Sequence, residues 1–207
     1  MTDDLLLVPA RGLRHAPDRL LHRWRRRAAT RALRERPSVR TVLVVCHGNI
    51  CRSPFAAGLL ARALGPAGTL VASAGFVGPG RSAPAEGVIA AAHRSVDLSS
   101  HRSQLLTPVL AAEAQLIIVM DARQQRMVRE RFGRAPCDVI ILGDLDPEAI
   151  VTRAIHDPVE LPLEAFEESY ARIERCVDAL VAALALPSGP RETEHARGEA
   201  TQVRRRD

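Results

Sequence analysis

At 207 residues, with 46% hydrophobic and 26% charged residues, the chain is long enough for one domain with a real core plus extensions. It has no run of 18 apolar residues, so no transmembrane helix is expected, and four cysteines in this length do not make a disulfide framework. All 29 basic residues are arginine, and the net charge is +7 over residues 1–40, −3 over 41–186 and +1 over 187–207. With only 3% aromatic residues and the basic excess confined to one arm, nucleic-acid binding is not indicated.

Residues 1–38 read as a basic N-terminal arm. Leu20, Leu21, Trp24, Ala28, Ala32 and Leu33 recur at helical spacing with arginines between them, and Pro37 is the stop. A basic amphipathic helix of this kind can lie on an acidic membrane surface, bind a partner, or pack on its own domain. The first residues carry two acids, and the apolar stretch Leu5 to Val8 is too short for a secretion signal.

Residues 39–186 read as the main domain. Short apolar runs at 41–46, 69–73, 115–120 and 138–142 predict buried strands. Helical patterns lie between and after them, at 53–64, 84–94, 122–132 and 163–185. The alternation predicts an α/β fold, a four-stranded parallel sheet with helices on both faces. The glycine-rich stretch Gly75 to Gly80 does not fit a dinucleotide fingerprint and reads as a loop. Residues 187–207 carry Pro, Gly, Glu and Arg without periodicity and read as a disordered tail.

The octet Cys46-His47-Gly48-Asn49-Ile50-Cys51-Arg52-Ser53 stands between the first predicted strand and the first helix of the domain. A loop entering a helix N-terminus aims free backbone N–H groups at one spot, and the helix dipole makes that spot positive. A phosphate-like dianion suits it, held by the loop from His47 to Ser53. Cys46 at the floor supplies a nucleophile, because a helix N-terminus and a nearby arginine stabilise a thiolate. Arg52 offers a planar fork for two phosphate oxygens, which lysine does not. Gly48 and Asn49 are residue types that tolerate positive φ. Ser53 can donate its hydroxyl to the Cys46 sulfur, and Pro54 suits a first helical turn. A zinc site on Cys46, His47 and Cys51 lacks a second ligand pair at the usual spacing. A reactive thiol is best served by a reducing compartment, so a cytoplasmic location is expected. Cys137, beside a strand, and Cys176, at an apolar position of the last helix, read as structural. Farther on, Asp157 precedes Pro158, which holds it extended; this fits a turn residue or a carboxyl poised over a site.

With Val45 to Pro54, Ser73-Ala74-Gly75, the run Asp97 to Ser103, Val119-Met120-Asp121 and Asp157-Pro158 in order, the chain resembles the low-molecular-weight protein tyrosine phosphatases of bacteria over about residues 40 to 186. The resemblance implies a phosphate loop after strand one and a protein tyrosine phosphatase that works through a cysteinyl-phosphate with no cofactor or metal. It implies catalytic roles for Cys46, Arg52 and Asp157, and a redox-protective thiol at Cys51. It implies a phosphotyrosine protein as substrate, in bacteria often a tyrosine kinase. Where the family commonly has tyrosine after Asp-Pro, this chain has Val159, and His47 and Phe76 fall at cleft positions that vary in the family. Two alternatives share the fold. A thioredoxin-linked arsenate reductase needs further cysteines, yet there is none between Cys51 and Cys137. A protein-arginine phosphatase tends to carry threonine where Ile50 stands.

Overall fold

The computed structural model describes residues 16–36 and 38–185. The expectations for residues 1–15, for Pro37 as a helix stop and for the 187–207 tail lie outside those residues. Four apolar segments form the strands β1 (Thr41–Cys46), β2 (Leu70–Gly75), β3 (Leu116–Val119) and β4 (Val139–Ile141). They make one parallel sheet in the order β2-β1-β3-β4. The described helices are α1 (Ala16–Arg34), α2 (Arg52–Leu64), α3 (Ala85–Ala92), α4 (Pro108–Glu113), α5 (Ala122–Phe132) and α6 (Leu163–Ala185).

The strands are apolar at consecutive positions because both sheet faces are covered. Successive side chains point to opposite faces, so each strand feeds two cores. Val42, Val44, Leu116, Ile118 and Ile140 join Phe55, Leu59 and Leu60 of α2, Ala90 of α3, Leu33 of α1 and Tyr170, Ile173 and Leu180 of α6. Leu43, Val45, Ile117, Val119 and Ile141 join Ala111 of α4 and Val128 of α5. α4 has no counterpart among the sequence expectations, although Thr107 caps it by accepting from the Leu110 N–H and Pro108 occupies its first turn. Strand four is shorter than expected, because the chain turns into a 3₁₀ segment at Leu142–Leu145.

β1 lies between β2 and β3, so the chain leaves β1 on one side and crosses back to the other. The carboxyl end of β1 is therefore the crevice where open α/β sheets bind ligands. Cys46 is the last residue of β1, which puts the octet at that point.

The sequence pattern left open whether the apolar positions of α1 face the domain, and the structure turns most of them outward. Of the six apolar positions that mark it in the sequence only Leu33 is buried, while Leu20, Leu21 and Trp24 are exposed. The inward stripe runs through Asp18, His22, Arg25, Ala29 and Leu33 at helical spacing, and α1 packs on α6 and the Leu142–Leu145 segment. This seam is polar, and most of its groups are paired. Asp18 takes an ion pair from Arg25 at 2.7 Å and accepts from the Thr152 hydroxyl and the Arg153 N–H. Burial opposes charge on Asp18, but these donors outweigh it and hold the carboxyl below its usual range. His22 donates its Nε2 proton to the Asp146 carbonyl at 2.9 Å.

Asp146 is itself fully buried. Arg172 and Arg175 of α6 each reach its carboxylate at 2.8 Å. Burial again disfavours the charge, and Arg175, the Glu148 N–H and Arg172 more than offset it, so the carboxyl lies below its usual value. Asp146→Ala removes the buried partner that Arg172 and Arg175 share and should cost about 3 kcal/mol, read by urea unfolding at neutral pH. Because the folded value is depressed, this stability is complete above the unfolded aspartate value of about 4 and is lost as pH falls through the lower folded value. Wild type and variant should therefore converge in strong acid. An equal gap at every pH would assign the loss to packing.

Candidate active site

The site is built on Asn49. It is fully buried with φ of 52°, so its backbone turns through the left-handed region that asparagine tolerates. Its side-chain Nδ2 donates to the Ser53 hydroxyl at 2.9 Å and to the Ser73 hydroxyl at 2.8 Å. Its Oδ1 accepts the Gln104 N–H at 2.9 Å, which fixes the amide orientation. Its carbonyl accepts a proton from His101 Nε2 at 2.7 Å, which fixes that tautomer. β2 comes close enough for this only because Gly75 has no side chain: a Cβ there would lie 2.9 Å from the Asn49 backbone nitrogen. Gly48 does not share the positive φ. It makes room for Arg81, whose Nη2 donates to the Gly48 carbonyl at 2.9 Å.

Cys46 is buried, and its sulfur accepts from the Asn49 N–H at 3.2 Å and lies 3.0 Å from the Ser53 hydroxyl. Ser53 already accepts from Asn49 Nδ2, which can only donate. The single hydroxyl proton is therefore directed at the sulfur, the direction that supports a thiolate.

α2 begins at Arg52 with no side-chain cap from Cys51 and no acid in its first turn, the open N-terminus that an anion can use. Arg52 is buried. Its Nη1 donates to the Ile155 carbonyl at 3.0 Å and its Nη2 to Asp157, while Nε has no partner among the described residues. A buried guanidinium with a donor still unpaired suits a second, oxygen-rich partner.

Asp157 is about one-third exposed, in the segment between β4 and α6. That segment is pinned three ways. The Ile155 N–H reaches the Met120 carbonyl at 2.9 Å, the Ile155 carbonyl holds Arg52, and Ser169 Oγ donates to the His156 carbonyl at 3.0 Å. The Asp157 carboxylate is thus held against the same fork that borders the loop.

Cys51 is buried, and the Tyr170 hydroxyl donates to its carbonyl at 3.3 Å. Tyr170 stacks on Phe55 with centroids 4.0 Å apart, so α6 braces the start of α2. The Cys51 thiol is pushed up to about 12, first by burial and then by Asp157 and Cys46. Of the remaining sequence candidates, His47 is exposed, Ile50 is half-buried against the α2–α6 core, and Val159 packs on that same core. Phe76 packs on the opposite core beside α4 and α5. Cys176 is fully buried, whereas Cys137 is exposed and so is no core filler. Among the described residues no three His, Cys, Asp or Glu side chains cluster as metal ligands, and no helix is long and apolar enough to cross a membrane.

The structure thus brings Cys46, Asn49, Cys51, Arg52, Ser53 and Asp157 together, with Ser73, Arg81, His101, Gln104 and Tyr170 as supports that carried no assigned role in the sequence. Ser73 and His101 lie in motifs that the sequence displays. Nothing in the chain marks Arg81 or Tyr170.

A family model described as low molecular weight phosphotyrosine protein phosphatase matches residues 41–187. The "Probable low molecular weight protein-tyrosine-phosphatase EpsP" of Ralstonia nicotianae is 39% identical over 143 residues, covering 69% of this chain and 94% of that protein. The crystal structure of the Erwinia amylovora tyrosine phosphatase AmsI superposes with a TM-score of 0.65 at 32% identity, covering 71% of this chain and 94% of that one. The YwlE arginine phosphatase from Geobacillus stearothermophilus superposes with a TM-score of 0.63 at 29% identity, covering 70% and 92%. From the octet at the end of β1 to the aspartate before α6, the chain belongs to the low molecular weight phosphotyrosine protein phosphatase family.

Proposed function

We propose that the chain hydrolyses phosphotyrosine in proteins through a cysteinyl-phosphate on Cys46. The observation that supports this most is the Cys46 sulfur held between the Ser53 hydroxyl and the Asn49 N–H, at the open N-terminus of a helix whose first residue is a buried arginine. The loop from His47 to Ser53 and the Arg52 fork hold the phosphoryl oxygens and balance the charge that develops on them. Cys46 attacks phosphorus in line as the P–O bond to the phenol breaks. Asp157 gives its proton to the departing oxygen, then takes one from the water that cleaves the S–P bond and restores the thiolate. Ser53 supports the sulfur as it leaves.

The Arg52–Asp157 ion pair adds a step of its own. A proton on Asp157 cancels that pair and frees the Nη2 arm of the fork for the phosphate, while Nη1 stays on the Ile155 carbonyl. The protonation that readies the acid therefore also opens the anion site. The protein substrate is read as a phosphotyrosine protein such as a bacterial tyrosine kinase, in a cytoplasmic setting, in keeping with relatives named protein-tyrosine-phosphatases.

The test is a substrate panel at equal concentration: a phosphotyrosine peptide, a phosphoarginine peptide and arsenate with a thiol reductant. The apolar Ile50 side chain in the loop favours the phenol ester, and phosphotyrosine turnover should exceed phosphoarginine turnover by roughly 10²-fold, the scale of a well-discriminated substrate pair. Preference for phosphoarginine, or reduction of arsenate without phosphatase turnover, would replace this reading.

Cys51 is assigned a protective role. If peroxide converts Cys46 to a sulfenic acid, the Cys51 thiol can displace water and close a reversible disulfide before further oxidation. Burial above all, with Asp157 and Cys46 adding to it, holds Cys51 as a thiol at rest. Cys51→Ser should keep most activity under reducing conditions, yet recover far less than wild type when dithiothreitol follows peroxide. Equal recovery in both removes the role.

A further inference from the structure

We infer that the outward face of α1 docks the protein on the surface of a bilayer rich in anionic lipid. This stands apart from the phosphatase reading, since α1 precedes the residues the family model matches.

α1 has two faces with different work. The inward stripe, Asp18 to Leu33, is taken up by the contacts to Asp146, Thr152, Arg153 and the core. The outward face carries Leu20 at 81% exposure and Trp24 at 69%, one helical turn apart, with Leu21 beside them at 44%. Arg23, Arg27 and Arg31 form a row at four-residue spacing along the same side, all exposed, with Arg31 3.6 Å from the exposed Glu35 just past the helix end. Next to it runs an open depression lined by Arg23, Arg26, Arg27, Thr30, Arg31 and Arg34, five of the six arginine and none acidic. The helix holds seven arginines and one acid, and that acid, Asp18, points inward to Arg25.

The chemistry that complements this face is a dense sheet of negative charge with an apolar layer just beneath it. Arginines meet the phosphates of the headgroups, and the tryptophan ring and leucines enter the boundary below them. An acidic protein would satisfy the arginines but needs a pocket for the exposed side chains of Trp24 and Leu20. A bilayer accepts those side chains without one. Docked in this way, α1 lies flat on the lipid with the sheet domain above it.

Trp24 is the only tryptophan in the chain, so its emission reports on this face directly. The full chain is mixed at low salt with vesicles of phosphatidylglycerol and phosphatidylcholine in equal parts, or of phosphatidylcholine alone, then sedimented. Binding to the anionic vesicles should exceed that to neutral ones by at least about tenfold, with a blue shift of Trp24 emission, and should be released as salt rises. Leu20→Ser with Leu21→Ser should abolish the blue shift, and Arg23→Gln, Arg27→Gln and Arg31→Gln together should lower binding about tenfold or more. Each variant should hydrolyse para-nitrophenyl phosphate as wild type does, which shows that it is folded. Equal binding to both vesicles, no binding, or binding without change at Trp24 overturns the inference. So does an equal blue shift with soluble polyglutamate, which would assign the face to an acidic protein.

Discussion

Cys46→Ser should reduce turnover of para-nitrophenyl phosphate by a factor on the order of 10⁴–10⁶, the scale on which loss of a nucleophile costs an enzyme. The serine oxygen fits where the sulfur sits and keeps the contacts from the Ser53 hydroxyl and the Asn49 N–H, so the loop should persist. A hydroxyl at neutral pH, however, holds its proton and attacks phosphorus weakly. Arg52 and the open end of α2 are untouched, so binding of a phosphate analogue should survive and can be followed by its inhibition constant against a competing probe or by calorimetry. Turnover above a few per cent of wild type would remove Cys46 from the mechanism. Loss of analogue binding together with activity would show a collapsed loop instead.

Asp157→Asn should lower kcat by roughly 10²–10⁴-fold, the worth of a positioned general acid. The loss should be largest for phosphotyrosine, whose phenolate leaves poorly without a proton, and smallest for para-nitrophenyl phosphate. A second effect follows from the ion pair. Asparagine cannot hold Arg52 Nη2 as the carboxylate does, so that arm of the fork is released while Nη1 stays on the Ile155 carbonyl, and inorganic phosphate should bind at least as tightly to the variant as to wild type. Equal loss for both substrates, or weaker phosphate binding, would show that Asp157 only shapes its loop.

Much of the fold was legible because the strands sit between two cores and are apolar at consecutive positions. Thr41–Cys46, with five of six residues buried, is the plainest case. The site's centre was legible for a local reason: nucleophile, left-handed asparagine, arginine and hydroxyl all lie within eight consecutive residues. What the sequence hid is long-range or polar. Asn49 is held by partners 24, 52 and 55 residues away, and no local pattern announces those pairings. The inward face of α1 did not stand out because hydrophobic periodicity counts apolar residues, while its seam is closed by Asp18, His22 and Arg25. Asp18 can be buried there because Arg25, Arg153 and Thr152 satisfy its carboxylate, and His22 Nε2 is taken up by the Asp146 carbonyl while Nδ1 has no partner among the described residues. α4 escaped notice because six residues are too few to show a period, although its Thr-Pro start is a capping signal.

The central claim is that phosphate passes through the Cys46 sulfur. It is tested most directly by mixing Asp157→Asn protein with a ³²P-labelled substrate that has a good leaving group, quenching within milliseconds, and mapping the label by peptide digestion. In this variant, hydrolysis of the intermediate lacks its base, so the phosphoenzyme should accumulate. The account predicts label on the peptide that holds Cys46, linked through sulfur and absent when Cys46→Ser is added. Label on another residue, or turnover with no labelled protein at any time, would contradict it.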